Sequence, residues 1–302
     1  MKNLFVLVPA YNEEKMIGNA IKALISLKQF FKENNLDLSV VVIDDGSVDK
    51  TKEEASQANV DHIVSHSVNQ GLGAAINTGL KFSQEKMADI VVKFDADLQH
   101  NPNDIKKLID PILEAKADIV YGHRFNNINY KMPFVRRVGN LVFTGLMRWL
   151  TNWPIYDSQP GILAVNKRYL KVFYLPGTYN YTQQILLDAH HNGLKFAAVD
   201  VEFNKRVTGK SFISYKYPFK VIPQLVSVIV GVKPLKFFGP ISVLFLALAL
   251  AVFVYDISCF FKGINPRPVA HSNLVLGTSI FGMQTLFFGI LADLIVHKVP
   301  RK

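Results

Sequence analysis

The sequence predicts an α/β domain on a mostly parallel sheet, then amphipathic helices of a membrane interface, then two C-terminal membrane-spanning helices. Three observations predict it. Short β-rich apolar runs alternate with stretches of helical periodicity through the first half of the chain. Polar residues cluster just after those runs, and the long uncharged runs lie in the C-terminal quarter.

Leu4–Val8, ending in Pro9, reads as a fully buried strand. Ile17, Ala20, Ile21, Leu24 and Ile25 then recur at helical spacing, and Ser39–Ile43 is a second buried strand stopped by Asp44-Asp45-Gly46-Ser47. His62–Ser65 is a weaker third strand, followed by a helix over Gly71–Met87. Ile90–Phe94 is the fourth, Asn101-Pro102 opens the next helix with a cap and a proline at its first position, and Ile119–Gly122 is the fifth. Parallel α/β sheets bind ligands beyond the carboxyl ends of their strands. The rule selects Tyr11, Asn12 and Glu13; Asp44 and Asp45; Asn69 and Gln70; Asp95, Asp97 and Gln99; and His123 and Arg124.

The second half changes character. Pro133–Trp153 is amphipathic, with Arg136, Arg137 and Arg148 among Val138, Leu141, Val142, Leu146 and Trp149. Ser211–Lys236 mixes aromatics and lysines with an apolar stretch, and both segments read as interfacial helices. Phe237–Tyr255 and Asn273–Ala292 carry no charge over 19 and 20 residues, enough to span the hydrocarbon core. The expected division is a cytosolic catalytic domain over 1–210, containing the interfacial helix 133–153, an interfacial segment over 211–236 and a membrane hairpin over 237–299. Lysines and arginines flanking the hairpin place both termini in the cytoplasm. Leu4–Val8 is too short for a signal peptide.

Composition narrows the partners. The 302 residues carry a net charge of +10, and only 19% are charged. No acid falls between Asp118 and Asp157 or between Glu202 and Asp256, while lysines and arginines accumulate in both intervals. Such blocks suit phosphates and lipid headgroups. A nucleic-acid partner would explain the charge but not the spans, so none is expected. A homo-oligomer is compatible with the sequence. One cysteine, Cys259, excludes an internal disulfide framework.

Asp95-Ala96-Asp97 directly follows a buried strand. Its two carboxylates, with Gln99 beside them, offer oxygen ligands for Mg²⁺ or Mn²⁺ bridging a diphosphate. Asp44 or Asp45 could accept from a base N–H or a ribose hydroxyl. Gly71-Leu72-Gly73-Ala74 allows close backbone approach at a helix start, and no P-loop motif is present.

Val8-Pro9-Ala10-Tyr11-Asn12-Glu13-Glu14, Val42-Ile43-Asp44-Asp45-Gly46-Ser47 and Phe94-Asp95-Ala96-Asp97-Leu98-Gln99-His100 together resemble glycosyltransferase family 2. Met132-Pro133, Arg137-Val138-Gly139-Asn140, Asp157-Ser158-Gln159-Pro160-Gly161 and Arg206 with Gly209-Lys210-Ser211 resemble its dolichol-phosphate mannose synthase-like branch. The resemblance implies a GT-A fold and a polyprenyl-phosphate glycosyltransferase. It implies that Pro9, Tyr11, Glu13 and Asp45 hold the nucleotide with Asp44 adjacent, and that Asp95 and Asp97 face the diphosphate, with Asp97 and Gln99 as metal ligands. Asn12, Asn69, Gly71 and Ala96 complete the donor-binding set. Asp97, Arg124, Arg137 and Arg206 form the catalytic set. The acceptor phosphate would meet Arg136 or Arg137, Arg206, Ser158, Gln159 and Ser211. The chain departs from the family in two places: Leu163 stands where it usually has arginine, and Gln183 and Gln184 where it often has carboxylates.

A sugar-hydroxyl acceptor needs a general base, whereas a phosphate is already ionised and needs cations to hold it. The expected reaction is therefore inverting transfer of one sugar from a UDP- or GDP-linked donor to undecaprenyl or dolichyl phosphate. Two other readings are a processive polysaccharide synthase and a non-catalytic nucleotide-sugar-binding membrane protein. Arg148-Trp149 matches only half of the synthase motif, since Gly145 occupies the glutamine position.

Overall fold

A computed structural model of the chain describes residues 1–97, 99–123, 134–175, 180–202, 226, 229–231 and 233–298, the side chains of 134–139 and 297–298 excepted. It divides into two compact units, Met1–Val221 and Ile222–Lys302.

In the first unit, β1 (Lys2–Ala10) leads through α1 (Ile17–Ile25) and α2 (Lys28–Glu33) to β2 (Leu36–Asp44). Then follow α3 (Thr51–Gln57), β3 (His62–Ser65), α4 (Leu72–Glu85), β4 (Ile90–Lys93), α5 (Asp104–Leu113) and β5 (Ile119–His123). The sheet is completed by β6 (Leu163–Asn166) and β7 (Phe196–Asp200), with α6 (Phe134–Thr151) ahead of β6, and α7 (Lys167–Val172) and α8 (Tyr181–His191) between the two strands. Strand order is β3-β2-β1-β4-β6-β5-β7. All neighbours pair in parallel except β6, which runs antiparallel between β4 and β5. The five strands read from the sequence are present, while β6 and β7 are additions.

Continuous apolar runs form β1 and β2 because both sheet faces are covered. On one face Leu4, Val6, Val8, Val40, Val42 and Val92 join Ile17, Ile21 and Leu24 of α1 and Ile105, Leu108 and Ile109 of α5 in one core. Each such side chain contributes about 1.5–3 kcal/mol when fully buried. On the other face α4 lies close to the sheet at Gly79, where a Cβ would come within 2.7 Å of Leu7 Cδ1. The Asn101-Pro102 start signal acts one turn ahead of the regular helix: Asn101 Oδ1 accepts from Asn103 N, and its carbonyl accepts from Asp104 N. In α6, Met147 and Leu150 are buried while Leu141, Val142 and Trp149 are exposed.

The second unit is a helical hairpin of α9 (Pro234–Phe261) and α10 (Ser272–Lys298), both long and apolar enough to cross a membrane. Each exceeds the uncharged run that signals it; in α9, Pro234 and Lys236 at one end and Asp256 at the other are accommodated within the helix. The helices meet at small residues: Ser242 Oγ donates to Gly282 O, and a Cβ on Gly289 would lie 2.9 Å from Phe238 Cβ. The buried Asp256 carboxylate accepts from His271 N, closing the start of α10.

Candidate active site

The carboxyl ends of β1, β2 and β4 are neighbours in the sheet, so the loops that follow them share one edge. After β1, Asn12 takes a left-handed conformation (φ 54°). Its amide donates to Ser47 Oγ at 3.0 Å, and its Oδ1 accepts from Val48 N at 3.0 Å. Glu13 N donates to Thr51 Oγ1 at 2.8 Å. The 11–14 turn is thus laced to the turn after β2. Pro9 is buried within β1, and Tyr11 is exposed.

Asp44 and Asp45 at the end of β2 are both buried. Asp44 Oδ1 accepts from Ser47 N at 3.0 Å, which forms the turn. Asp45 faces the 66–71 loop: Oδ1 accepts from Gln70 N at 2.9 Å and lies 2.7 Å from His66 Nδ1, and Oδ2 accepts from Gly71 N at 2.8 Å. His66 Nε2 lies 2.9 Å from Thr78 Oγ1 on α4, so the loop is tied to the helix behind it. Gly46 (φ 72°) closes the same junction, since a Cβ there would come 2.7 Å from Asn69 N. The structure therefore makes Asp45 the shaper of the loop that carries Asn69 and Gly71. No sequence signal points to the His66–Thr78 link, because neither residue falls in a motif.

The Asp95–His100 turn follows β4. Asp97 Oδ1 accepts from Gln99 N at 3.1 Å. Ala96 and His100 are buried, whereas Asp95, Asp97 and Gln99 are partly exposed at the sheet edge. Behind Asp95 lies Lys93, the last residue of β4 and only 2% exposed, whose Nζ donates to Asp95 Oδ1 and to the carbonyl of Gly161. Burial alone would lower the pKa of this lysine; the Asp95 carboxylate and Tyr181 beside it override burial and raise it, so Lys93 is charged. A Cβ on Gly161 would run into His100 Nε2 and come 3.1 Å from Asp95 Oδ2. The absence of that Cβ lets the 157–161 loop close over the turn.

Ser158 and Gln159 in that loop differ in exposure. Ser158 is fully buried; its amide donates to Thr144 Oγ1 at 3.2 Å, and its hydroxyl accepts from the same group at 3.2 Å. Asp157 Oδ1 accepts from Gln159 N at 2.9 Å and from Asn140 Nδ2 at 3.3 Å. Asp157 and Ser158 thereby fasten the loop to α6, and Gln159 is partly exposed. Gln183 and Gln184 are both buried near the start of α8. Tyr156, outside every motif, stacks on His123 with ring centroids 5.1 Å apart. Arg124, Arg206 and Ser211, and the side chains of Arg136 and Arg137, lie outside the described residues.

An α/β sheet with paired acids beyond its central strand defines the class, a sugar-transferring fold of the GT-A type. Glucosyl-3-phosphoglycerate synthase of Mycobacterium tuberculosis, solved with Mn²⁺, UDP and phosphoglyceric acid, superimposes with a TM-score of 0.61 over 75% of this chain and 78% of its own, at 23% identity. The model of glycosyl transferase family 2 matches residues 5–190, and the chain belongs to that family as a glycosyltransferase. An uncharacterised protein of Methanocaldococcus jannaschii is 33% identical over 231 residues, covering 73% of this chain and 91% of its own. The UDP-N-acetylglucosamine–dolichyl-phosphate N-acetylglucosaminyltransferase of Methanococcus voltae is 35% identical over 57% of this chain and 72% of its own. The dolichol-phosphate mannosyltransferase of Pyrococcus furiosus is 27% identical over 73% of this chain and 62% of its own.

Proposed function

We propose that the protein transfers one sugar from a UDP- or GDP-linked donor to a polyprenyl phosphate at the cytosolic membrane face, with both termini cytoplasmic. The observation that carries the reading is the placement of Asp95 and Asp97 beyond the central strand β4, on the same sheet edge as the Asp44–Ser47 turn. Relatives named as transferases to dolichyl phosphate support the acceptor class.

The site's chemistry suits a divalent cation held partly by substrate. Among the described residues no three His, Cys, Asp or Glu side chains cluster as a metal cage. Two carboxylates and an amide on one turn match Mg²⁺ or Mn²⁺, which take one or two protein carboxylates and complete their shell with phosphate oxygens and water. Asp97 and Gln99 would hold the ion, and a bound ion neutralises the diphosphate as it departs.

The remaining work falls to the chain. The loops built by Asp44, Asp45 and Gly71, with Pro9, Tyr11, Asn12, Glu13 and Asn69, hold the nucleotide. Asp95 and Ala96 border the diphosphate. Arg124, Arg137 and Arg206, with Arg136 as the alternative to Arg137, meet the donor diphosphate or the acceptor phosphate, and Gln159 and Ser211 border the acceptor phosphate; Ser158 holds the loop that carries Gln159. A phosphate oxygen attacks the anomeric carbon while the bond to the donor diphosphate breaks on the opposite side, which inverts the centre. The acceptor is already ionised, so no base is needed; Gln183 and Gln184, which cannot act as bases, are compatible with that.

The test is a donor screen on detergent-purified protein with undecaprenyl and dolichyl phosphates, following nucleotide release and glycolipid mass. The expected product is a lipid carrying one sugar, lost when the divalent cation is chelated. Polymer, or donor binding without product across the panel, would overturn the reading.

A further inference from the structure

Lys93 has no role in the reaction just described, yet it occupies the end of the central strand. A buried charge is costly to take out of water unless it is closely paired and hydrogen-bonded. Lys93 meets both conditions: Asp95 Oδ1 is its counter-ion, the Gly161 carbonyl accepts a second bond, and Tyr181 at the start of α8 lies beside it. It thereby joins the strand, the Asp95–His100 turn, the 157–161 loop and α8.

The effect falls on Asp95, whose side chain is 30% exposed. Lys93 engages one carboxylate oxygen, and Gly161 is packed against the other, so the carboxylate is fixed in direction and its charge is balanced from within the protein. Asp97 Oδ1 accepts from the Gln99 amide of the same turn. We propose that Lys93 is a positioning residue of the donor site, neutralising and orienting Asp95 so that its charge does not add to that of Asp97 at a divalent cation. The inference rests on the metal-dependent reading above.

The arrangement has a direct electrostatic consequence. Replacing Lys93 with an uncharged side chain exposes the cation site to a second full negative charge a few ångströms away. Full-length protein in detergent is titrated with Mn²⁺ in saturating UDP and, separately, GDP, and free Mn²⁺ is read by its EPR signal. In Lys93→Met, Mn²⁺ binds about threefold or more tightly than in the wild type, because opposite charges attract more strongly at the lowered dielectric of a protein edge. Lys93→Met with Asp95→Asn removes both charges and returns the affinity to within about twofold of wild type. Circular dichroism verifies that each variant is folded. Should Lys93→Met not fold, Asp95→Asn alone serves: it leaves the Lys93 charge uncompensated beside the cation site, so Mn²⁺ is expected to bind about threefold or more weakly. An unchanged or tighter affinity in that variant would overturn the inference. An unchanged or weakened affinity in folded Lys93→Met overturns the inference alone. No Mn²⁺ uptake by the wild type with either nucleotide overturns the functional reading and the inference with it.

Discussion

The two edges of the sheet both carry acids and use them differently. At the amino edge, Asp61, Asp89 and Asp118 each immediately precede a strand. Asp61 accepts from Val40 N and Lys28, Asp89 from Asn3 N and Lys167, and Asp118 from Lys195 N, Asn166 and Arg168. Each acid thus pins the backbone of a neighbouring strand or loop and takes a partly exposed cation as partner. At the carboxyl edge, Asp44 and Asp45 are satisfied by amides of the loops they shape, and Asp95 by a buried lysine. Amino-edge acids close the sheet; carboxyl-edge acids shape loops or stand at a ligand's position. A carboxylate after a strand is therefore not by itself a ligand, and substitution should separate the two kinds.

The largest separation is expected at Asp97. Asp97→Ala should lower turnover by about a thousandfold or more, in line with removal of preorganised electrostatic stabilisation at a departing group. Its melting temperature should barely move, since the residue is partly exposed in a turn. The pair of readings is glycolipid formation and a thermal scan on the same preparation. Turnover retained within tenfold would remove Asp97 from the reaction.

Asp118→Ala should show the reverse. Asp118 is 3% exposed and accepts from the Lys195 amide at 2.8 Å and from Asn166 Nδ2 at 2.8 Å, with Arg168 at 3.2 Å. Removing it strands two donors at a buried position and costs about 2–4 kcal/mol of stability. Turnover per folded molecule should stay within about twofold, because the residue lies at the edge away from the site. Loss of turnover without loss of stability would break the contrast between the edges.

The sequence exposes this polarity because strand direction can be read from chain order. Once Leu4–Val8, Ser39–Ile43 and Ile90–Phe94 are recognised as parallel strands, the residues after each of them must meet. What stays hidden depends on register. β6 passes directly into α7 with no Gly or Pro turn signal between them and runs against its neighbours, and β7 is built around Ala197 and Ala198, which are weak strand formers. Lys93 lies inside an apolar run and reads as the strand's last polar residue; only the register, which sets it opposite Leu163, and the closure of the Gly161 loop reveal a buried ion pair. Leu163 is also the position where the family's arginine is missing, so a departure on one strand faces an unheralded cation on the next. His66 is equally silent, since its link between Asp45 and Thr78 joins residues far apart in sequence.

The smallest effect belongs to Asp89, and its pH dependence gives the amino edge an independent check. Burial alone would raise its pKa; the Asn3 amide at 3.0 Å and Lys167 at 3.2 Å outweigh burial, so the folded value is lowered. An acid whose folded pKa lies below its unfolded value of about 3.9 stabilises the fold above that pH, and the contribution fades as pH falls through the folded value. Asp89→Asn keeps an acceptor for Asn3 N but loses the charge. The variant should be less stable than wild type by about 1 kcal/mol or less at pH 7, as expected for a partly exposed ion pair. The gap between the two melting temperatures should hold down to about pH 5 and then narrow below about pH 4. A gap that widens on acidification would mean that Asp89 is held in its protonated form, and that the cation from α7 does not stabilise the sheet's amino edge.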